Sequence, residues 1–231
     1  MRFPAPLIPG TLVKRYKRFL ADVRLDDGTL VTAHCTNTGS MLGCNAPGSQ
    51  VYLSEQPGKN RKLPYTWELI RVGRTLVGIN TLAANRLARE GIESGVVKEL
   101  QGYERLRPEV PTRPGSRLDF LLENPGQQCY VEVKNVTLVM DGVATFPDAV
   151  SERGTRHLKE LIRLRRRGHR AVLLFVIQRG PCPSFRPADE IDVEYGRWLR
   201  RAARAGVEIY PYRARVTVRG ISLREAVPLQ L

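Results

Sequence analysis

The hydrophobic pattern of this chain changes character near Asn80, and that change constrains the fold more than any other feature. Before it, short apolar runs alternate with polar residues at the period of a strand. Residues 19–25 alternate through Phe19, Ala21, Val23 and Leu25. The turn Asp26-Asp27-Gly28 follows, and residues 30–35 read as the return strand, because Asp-Gly between alternating segments is a hairpin signal. Residues 51–53, 66–72 and 76–79 read as further strands, separated by Gly/Pro/Asn loops such as Asn45-Ala46-Pro47-Gly48. About five short strands within residues 1–80 suit a small closed all-β barrel of the OB type.

Beyond Asn80 the pattern becomes helical and then mixed. Residues 82–88 read as a helix that Gly91 stops, with a short helical stretch at 96–100. Residues 118–122 and 130–133 read as strands joined by Glu123-Asn124-Pro125-Gly126. Ser151 is placed to cap a helix running to about Arg167, with Leu158, Leu161 and Ile162 as its apolar stripe and Gly168 as its stop. Residues 171–177 form a continuous apolar run, as in a strand buried on both faces. Tyr195, Trp198, Leu199, Ala202 and Ala203 mark an amphipathic helix that Gly206 ends, with a strand at 207–210 after it. The order α–β–β–α–β–α–β over residues 81–231 predicts an α/β (α+β) domain with a mixed sheet.

The charge balance limits the partners. The chain of 231 residues carries 37 Lys+Arg against 23 Asp+Glu, a net charge of +14. The excess is spread, with 11 basic against 5 acidic residues in 1–80 and 26 against 18 in 81–231. A polyanion, nucleic acid first, is the natural partner of such a surface. In the first domain Lys14-Arg15-Tyr16-Lys17-Arg18-Phe19 interleaves cations with aromatic rings, a mixture that grips phosphate and stacks bases. Lys59-Asn60-Arg61-Lys62 is a second basic loop. Arg15, Lys17, Arg18, Lys59, Arg61 and Lys62 are therefore candidate nucleic-acid contacts; the alternative is a charged strand edge with Tyr16 and Phe19 in the core.

Cys35, Cys44, Cys129 and Cys182 form no Cys-x-x-Cys pair, and no histidine pair has zinc spacing. Reduced thiols and a cytoplasmic location are expected. No apolar run reaches the ~20 residues of a membrane helix, and the Pro-broken first ten residues do not read as a signal peptide.

Chemistry concentrates in Asp119 and in the run Cys129-Tyr130-Val131-Glu132-Val133-Lys134. Residues two apart on a strand share a face, so Glu132 and Lys134 point together and Val133 points away. Asp119, thirteen residues before Glu132, falls on the neighbouring strand of a hairpin. Two carboxylates suit Mg²⁺, which takes one or two of them and keeps several waters. A lysine beside them can orient a water and offset developing charge. The plain alternative is a solvated Glu–Lys pair at a strand edge.

Arg117 shares the Asp119 face and is a candidate phosphate contact. His157, on the helix after the site, reads as a surface or capping residue in preference to a proton shuttle. Glu152 and Arg153 either support the site or pair with each other. His34, Asn37, Thr38 and Gly39 read as a turn closed by its own side chains. Gln178 ends the buried strand near the site edge, and Trp198 reads as core.

These residues resemble two related patterns. Asp119, Glu132 and Lys134 are similar to the PD-(D/E)xK nuclease signature. The wider chain resembles the sugar fermentation stimulation protein A family. That resemblance is carried by Arg15-Tyr16-Lys17-Arg18-Phe19-Leu20-Ala21-Asp22-Val23, His34-Cys35-Thr36-Asn37-Thr38-Gly39-Ser40-Met41 and Asn80-Thr81-Leu82-Ala83-Ala84-Asn85-Arg86-Leu87. Ser116-Arg117-Leu118-Asp119-Phe120, Tyr130-Val131-Glu132-Val133-Lys134-Asn135-Val136-Thr137-Leu138 and Phe146-Pro147-Asp148-Ala149-Val150-Ser151-Glu152-Arg153-Gly154 complete it. It implies an OB-like domain, a nuclease-like domain and DNA binding, with Thr36 where the family often has Pro. The resulting expectation is a DNA-binding protein with a nuclease-like site. Asp119 and Glu132 hold Mg²⁺ or Mn²⁺, and Lys134 positions the water. The rival is a non-catalytic DNA-binding regulator of sugar (maltose) metabolism genes. A homo-oligomer stays open. A small-molecule enzyme lacks a Rossmann or P-loop glycine pattern.

Overall fold

The computed structural model describes residues 1–55 and 62–231. Lys59 and Arg61 lie outside the described residues. Six strands build the first layer: β1 (Ile8–Tyr16), β2 (Leu20–Leu25), β3 (Leu30–His34), β4 (Gln50–Glu55), β5 (Tyr65–Val72) and β6 (Thr75–Gly78). The order is β3-β2-β1-β4-β5-β6. A short parallel pairing of β3 with β5, at Ala33↔Tyr65 and His34↔Thr66, closes five of the strands into the expected barrel. Leu12, Val23, Val51, Leu53, Trp67 and Ile70 fill it.

The first strand is absent from the sequence reading. Pro4 and Pro6 precede it, Pro9 falls within it, and only Gly10 and Leu12 of its nine residues are buried. Lys14, Arg15 and Tyr16, expected in a loop, end β1. Lys17, Arg18 and Phe19 make the connection to β2, with Lys17 and Arg18 at φ 48° and 67°.

Next come α1 (Leu82–Glu93), a short 3₁₀ turn at Lys98–Leu100, β7 (Arg105–Arg113), β8 (Ser116–Asn124) and β9 (Gln127–Val136). The short strands β10 (Leu138–Met140) and β11 (Val143–Phe146) precede α2 (Glu152–Arg166) and β12 (Arg170–Ile177). The chain ends with β13 (Phe185–Pro187), α3 (Val193–Arg204), β14 (Glu208–Thr217) and β15 (Gly220–Ala226).

The main sheet runs β15-β14-β12-β9-β8-β7. It is mixed: β12 is parallel to both β9 and β14, and the remaining pairs are antiparallel. The apolar run of β12 is buried on both faces, as expected. Val172, Leu174 and Val176 join the cluster under α1, whereas Leu173, Phe175 and Ile177 join the one under α2 and α3. Ser151 caps α2, its Oγ accepting from Gly154 N at 3.1 Å.

The expected order lacked β7, β10, β11, β13 and β15. β7 is an edge strand carrying Pro108 and Pro111, which a central strand would not tolerate. β10, β11 and β13 are three or four residues long and form their own small sheet. Among the described residues no helix is long and apolar enough to cross a membrane, and all four cysteines are buried free thiols.

Candidate active site

β8 and β9 part at the site. Their ladder runs from Asn124↔Gln127 to Phe120↔Val131, so the next positions along the strands are Asp119 and Glu132. β8 continues with β7 at Leu118↔Val110, and β9 continues with β12 at Glu132↔Leu173 and Lys134↔Phe175. The sheet thus forks, leaving backbone donors without a strand partner. Asp119 fills the fork. Its Oδ2 accepts from Val133 N at 2.7 Å, and its Oδ1 accepts from Asn85 Nδ2 of α1 at 2.8 Å.

Glu132 is only 2% exposed, so its charge needs compensation. Lys134 Nζ and His157 Nδ1 both contact its Oε1. The lysine and the imidazole lie 3.2 Å apart. The two carboxylates are held in opposite ways. Burial, and then the charge of Glu132, push the Asp119 carboxyl above its usual range. Burial acts on Glu132 in the same direction, but Lys134 and His157 together outweigh it and hold the carboxyl below its usual range.

Two depressions flank this cluster. One is an open trough of about 1050 Å³ lined by Arg113, Arg117, Arg153, Arg156 and His157, with no acidic side chain in its wall. The other is a cleft of about 280 Å³ lined by residues of both domains, among them Asn37, Thr38, Asn85, Lys134 and Asp148. The loop from the barrel is fixed against the second domain. Met41 N donates to Asp148 Oδ2 at 2.9 Å, and a Cβ on Gly39 would come within 2.9 Å of both Asp148 oxygens.

The fold and the site carry the marks of one family in both halves. A family model described as the SfsA N-terminal OB domain matches residues 13–79, and one described as the sugar fermentation stimulation protein RE domain matches residues 82–220. The chain belongs to the sugar fermentation stimulation protein family. It is 56% identical over 231 residues to the sugar fermentation stimulation protein homolog of Citrifermentans bemidjiense, covering 100% of both chains. It is 58% identical over 229 residues to that of Geobacter sulfurreducens, covering 99% of this chain and 98% of the relative. A solved structure, Pyrococcus furiosus SfsA in complex with Ca²⁺, superposes with a TM-score of 0.92 at 30% identity, covering 100% of this chain and 98% of that one.

Measured against the sequence reading of this family member, the structure brings Asp119, Glu132 and Lys134 together. It also brings in His157, expected at the surface. His157 is partly buried on α2, next to the buried stripe of Leu158, Leu161 and Ile162. Asn85 had no role in that reading, although it is a polar residue among the buried Ala83, Ala84, Leu87 and Ala88 of α1.

Arg117 faces the trough and pairs with Glu109 at 2.8 Å. Arg153 is exposed in the same wall and makes no pair with Glu152. Arg15 lies elsewhere, with its Nη2 2.8–2.9 Å from the carbonyls of Arg18, Asn37 and Gly39. Lys17, Arg18 and Lys62 are exposed. Asn37 closes its own turn onto Gly39 N at 2.9 Å, as expected. The Thr36 hydroxyl donates to Asn80 Oδ1 at 2.9 Å, tying the barrel to the start of α1. Gln178 reaches Asn135 Oδ1 at 2.6 Å. Trp198 packs partly into the core between Lys159 and Arg201.

Proposed function

We propose that this protein binds DNA and hydrolyses a phosphodiester at the forked strands in a metal-dependent reaction. The observation that carries the reading is the pair of carboxylates at the fork, Asp119 raised by burial and by Glu132. Two close carboxylates with few other donors suit Mg²⁺ or Mn²⁺, which keep several waters. Zinc is usually held by three or four His, Cys, Asp or Glu side chains, and among the described residues no group of three of these is arranged for a metal. The Ca²⁺ bound by the Pyrococcus furiosus relative is another hard, oxygen-seeking cation, and it supports the same choice.

Asp119 and Glu132 would hold the ion. When bound, it supplies charge neutralisation at the phosphoryl oxygens and acidifies a water. Lys134 orients that water and offsets the charge that develops. His157 lies where the cluster meets the trough, so it can pass a proton between them. The arginines of the trough take the phosphate backbone, and the OB barrel adds a second surface of a kind that binds nucleic acid.

The test uses purified protein with duplex, single-stranded and branched DNA, with Mg²⁺, Mn²⁺ or chelator. Cutting is expected with either metal and not with chelator. Lys134→Ala should lower it by about 10²–10⁴-fold, and Asp119→Asn should abolish it. Cutting that persists in both variants would end the catalytic reading.

One observation favours a second reading, a DNA-binding regulator without turnover. Lys134 and His157 both contact Glu132 Oε1, so the lysine compensates the carboxylate's charge from within the protein. Salt-dependent DNA binding with no cutting under any metal would select it.

A further inference from the structure

We infer that the cleft beside the site receives a single unpaired nucleobase, so that the preferred substrate is DNA with an unstacked nucleotide next to the bond to be cut. The inference rests on the reading of the fork as a DNA-hydrolysing site and names the substrate class for it.

The catalytic cluster forms a wall between two depressions of different chemistry. His157 lines the trough and Lys134 lines the cleft, and the two side chains lie 3.2 Å apart. The trough carries four arginines and no acid, as a phosphate backbone requires. The cleft is balanced, with Lys134 as its one cation and Asp148 as its one acid. The rest of its polar lining is neutral and able to hydrogen-bond in both senses. Asn37 Oδ1 and Asn135 Oδ1 are occupied by Gly39 N and Gln178 Nε2, which leaves their Nδ2 donors to the cleft. Asn85 gives its Nδ2 to Asp119, which leaves its carbonyl as an acceptor. Donors and acceptors on side chains, without net charge, match the edge of a base.

Three further observations support an occupant of that kind. Thr145 is a residue of the cleft wall, 1% exposed, and its buried Oγ1 has no partner among the described residues. A buried hydroxyl of this kind calls for a ligand or water. Phe146 supplies an aromatic wall held by Phe175 and Tyr195 at centroid distances of 5.5 and 5.2 Å. The volume, about 280 Å³, is below the range of about 300–1,000 Å³ for larger ligands. Enzymes that seat a base in a pocket first remove it from the stack, which is least costly where it is already unpaired.

The test measures affinity by anisotropy in chelator. It compares a labelled continuous duplex with the same duplex carrying a short single-stranded gap. The gapped DNA is expected to bind about tenfold tighter, the scale of one stacked base. Thr38 lines the cleft and is exposed, so Thr38→Trp fills the mouth without disturbing the core and should erase the preference. Thr145→Val removes the unpartnered hydroxyl at constant shape and should reduce the preference without weakening duplex binding. Arg156→Ala should weaken both DNAs alike.

Equal affinity for the two DNAs would overturn the inference, as would Thr38→Trp weakening both equally, or no DNA binding at all. The hydrolysis reading fails separately. Retained gap preference with no cutting in Mg²⁺ or Mn²⁺ would sink hydrolysis alone, and equal cutting of continuous duplex would sink the base cleft alone.

Discussion

Two basic hairpin tips use their charge in different ways. The β1–β2 tip holds Lys14, Arg15, Lys17 and Arg18, and the β7–β8 tip holds Arg113 and Arg117. Arg15 points inward, its guanidinium against the carbonyls of Arg18, Asn37 and Gly39. It fixes a connection with two positive φ angles and shapes the loop that forms one side of the cleft. The β7–β8 tip instead lines the open trough with Arg113 and Arg117, each paired with a carboxylate (Glu160 and Glu109), and α2 adds the exposed Arg153 and Arg156. In sequence the first tip has the stronger nucleic-acid signature, because its cations alternate with aromatics. In the fold the second tip stands beside the cluster of Glu132, Lys134 and His157. Arg15, with its hydrogen bonds committed to backbone, builds structure, whereas Arg153 and Arg156, exposed beside the cluster, are placed to meet a polyanion.

The largest effect expected from this contrast is on stability. Arg15→Ala should leave three carbonyls without their donor and cost about 2–4 kcal/mol. In a chain of this size that lowers the melting temperature by about 5–15 °C. Arg15→Lys should recover part of the loss, since all three contacts are made by the one nitrogen Nη2 and an ammonium also carries three N–H donors on one nitrogen. If Arg15→Ala melts like wild type but loses DNA affinity, the inward arginine is a phosphate contact and the contrast collapses.

At the trough the order reverses. Arg153 and Arg156 are exposed on one face of α2. Arg153→Ala with Arg156→Ala should leave the melting temperature in place. It should weaken DNA binding by about 10- to 100-fold at low salt, with a salt slope shallower by about 0.9 per arginine. The matched pair Lys17→Ala with Arg18→Ala should shift affinity by less than about threefold. Titrations across salt concentrations check both, and equal losses at the two tips would break the comparison.

What the sequence reveals follows from the range of each interaction. β12 was legible because burial on both faces writes a continuous apolar run. The helix α2 was legible from its Ser151 cap and Gly168 stop. The shared face of Glu132 and Lys134 follows from strand period alone. β1 was not legible, because Pro9 and the preceding prolines break its start and Leu12 is its one large buried side chain, which leaves no alternation to read. His157 and Asn85 were not legible as site residues, because each is placed by tertiary packing. Glu132 meets His157 from 25 positions away and Asp119 meets Asn85 from 34. No local pattern records contacts of that range. The fork itself depends on β8 following β7 while β9 follows β12, a property of the sheet as a whole.

The contrast between committed and uncommitted charge recurs inside the site, where it makes the smallest and most specific prediction. Glu132 is balanced by Lys134 and His157, whereas Asp119 is held by two neutral donors. Burial, and then Glu132, raise the Asp119 carboxyl above its ordinary 3.8. The folded chain therefore binds that proton more tightly than the unfolded chain does. Stability falls as pH rises from 3.8 through the raised value, and the loss is complete above that value. Glu132 acts with the opposite sign. Its lowered carboxyl contributes stability that is present above its ordinary 4.5 and lost as pH falls through the folded value. Asp119→Asn removes the first effect and leaves the second. Its amide oxygen can still accept from Val133, and Asn85 can turn its amide to match the new donor. At neutral pH without metal, the variant should melt about 2–4 °C above wild type, and the gap should close as pH falls below the carboxylate range. Mg²⁺ or Mn²⁺ should then raise the melting temperature of wild type and leave the variant unmoved, because only the wild-type folded state gains a ligand. A variant that melts below wild type at neutral pH would mean that Asp119 serves the fork as an acceptor, with no unrelieved charge awaiting an ion.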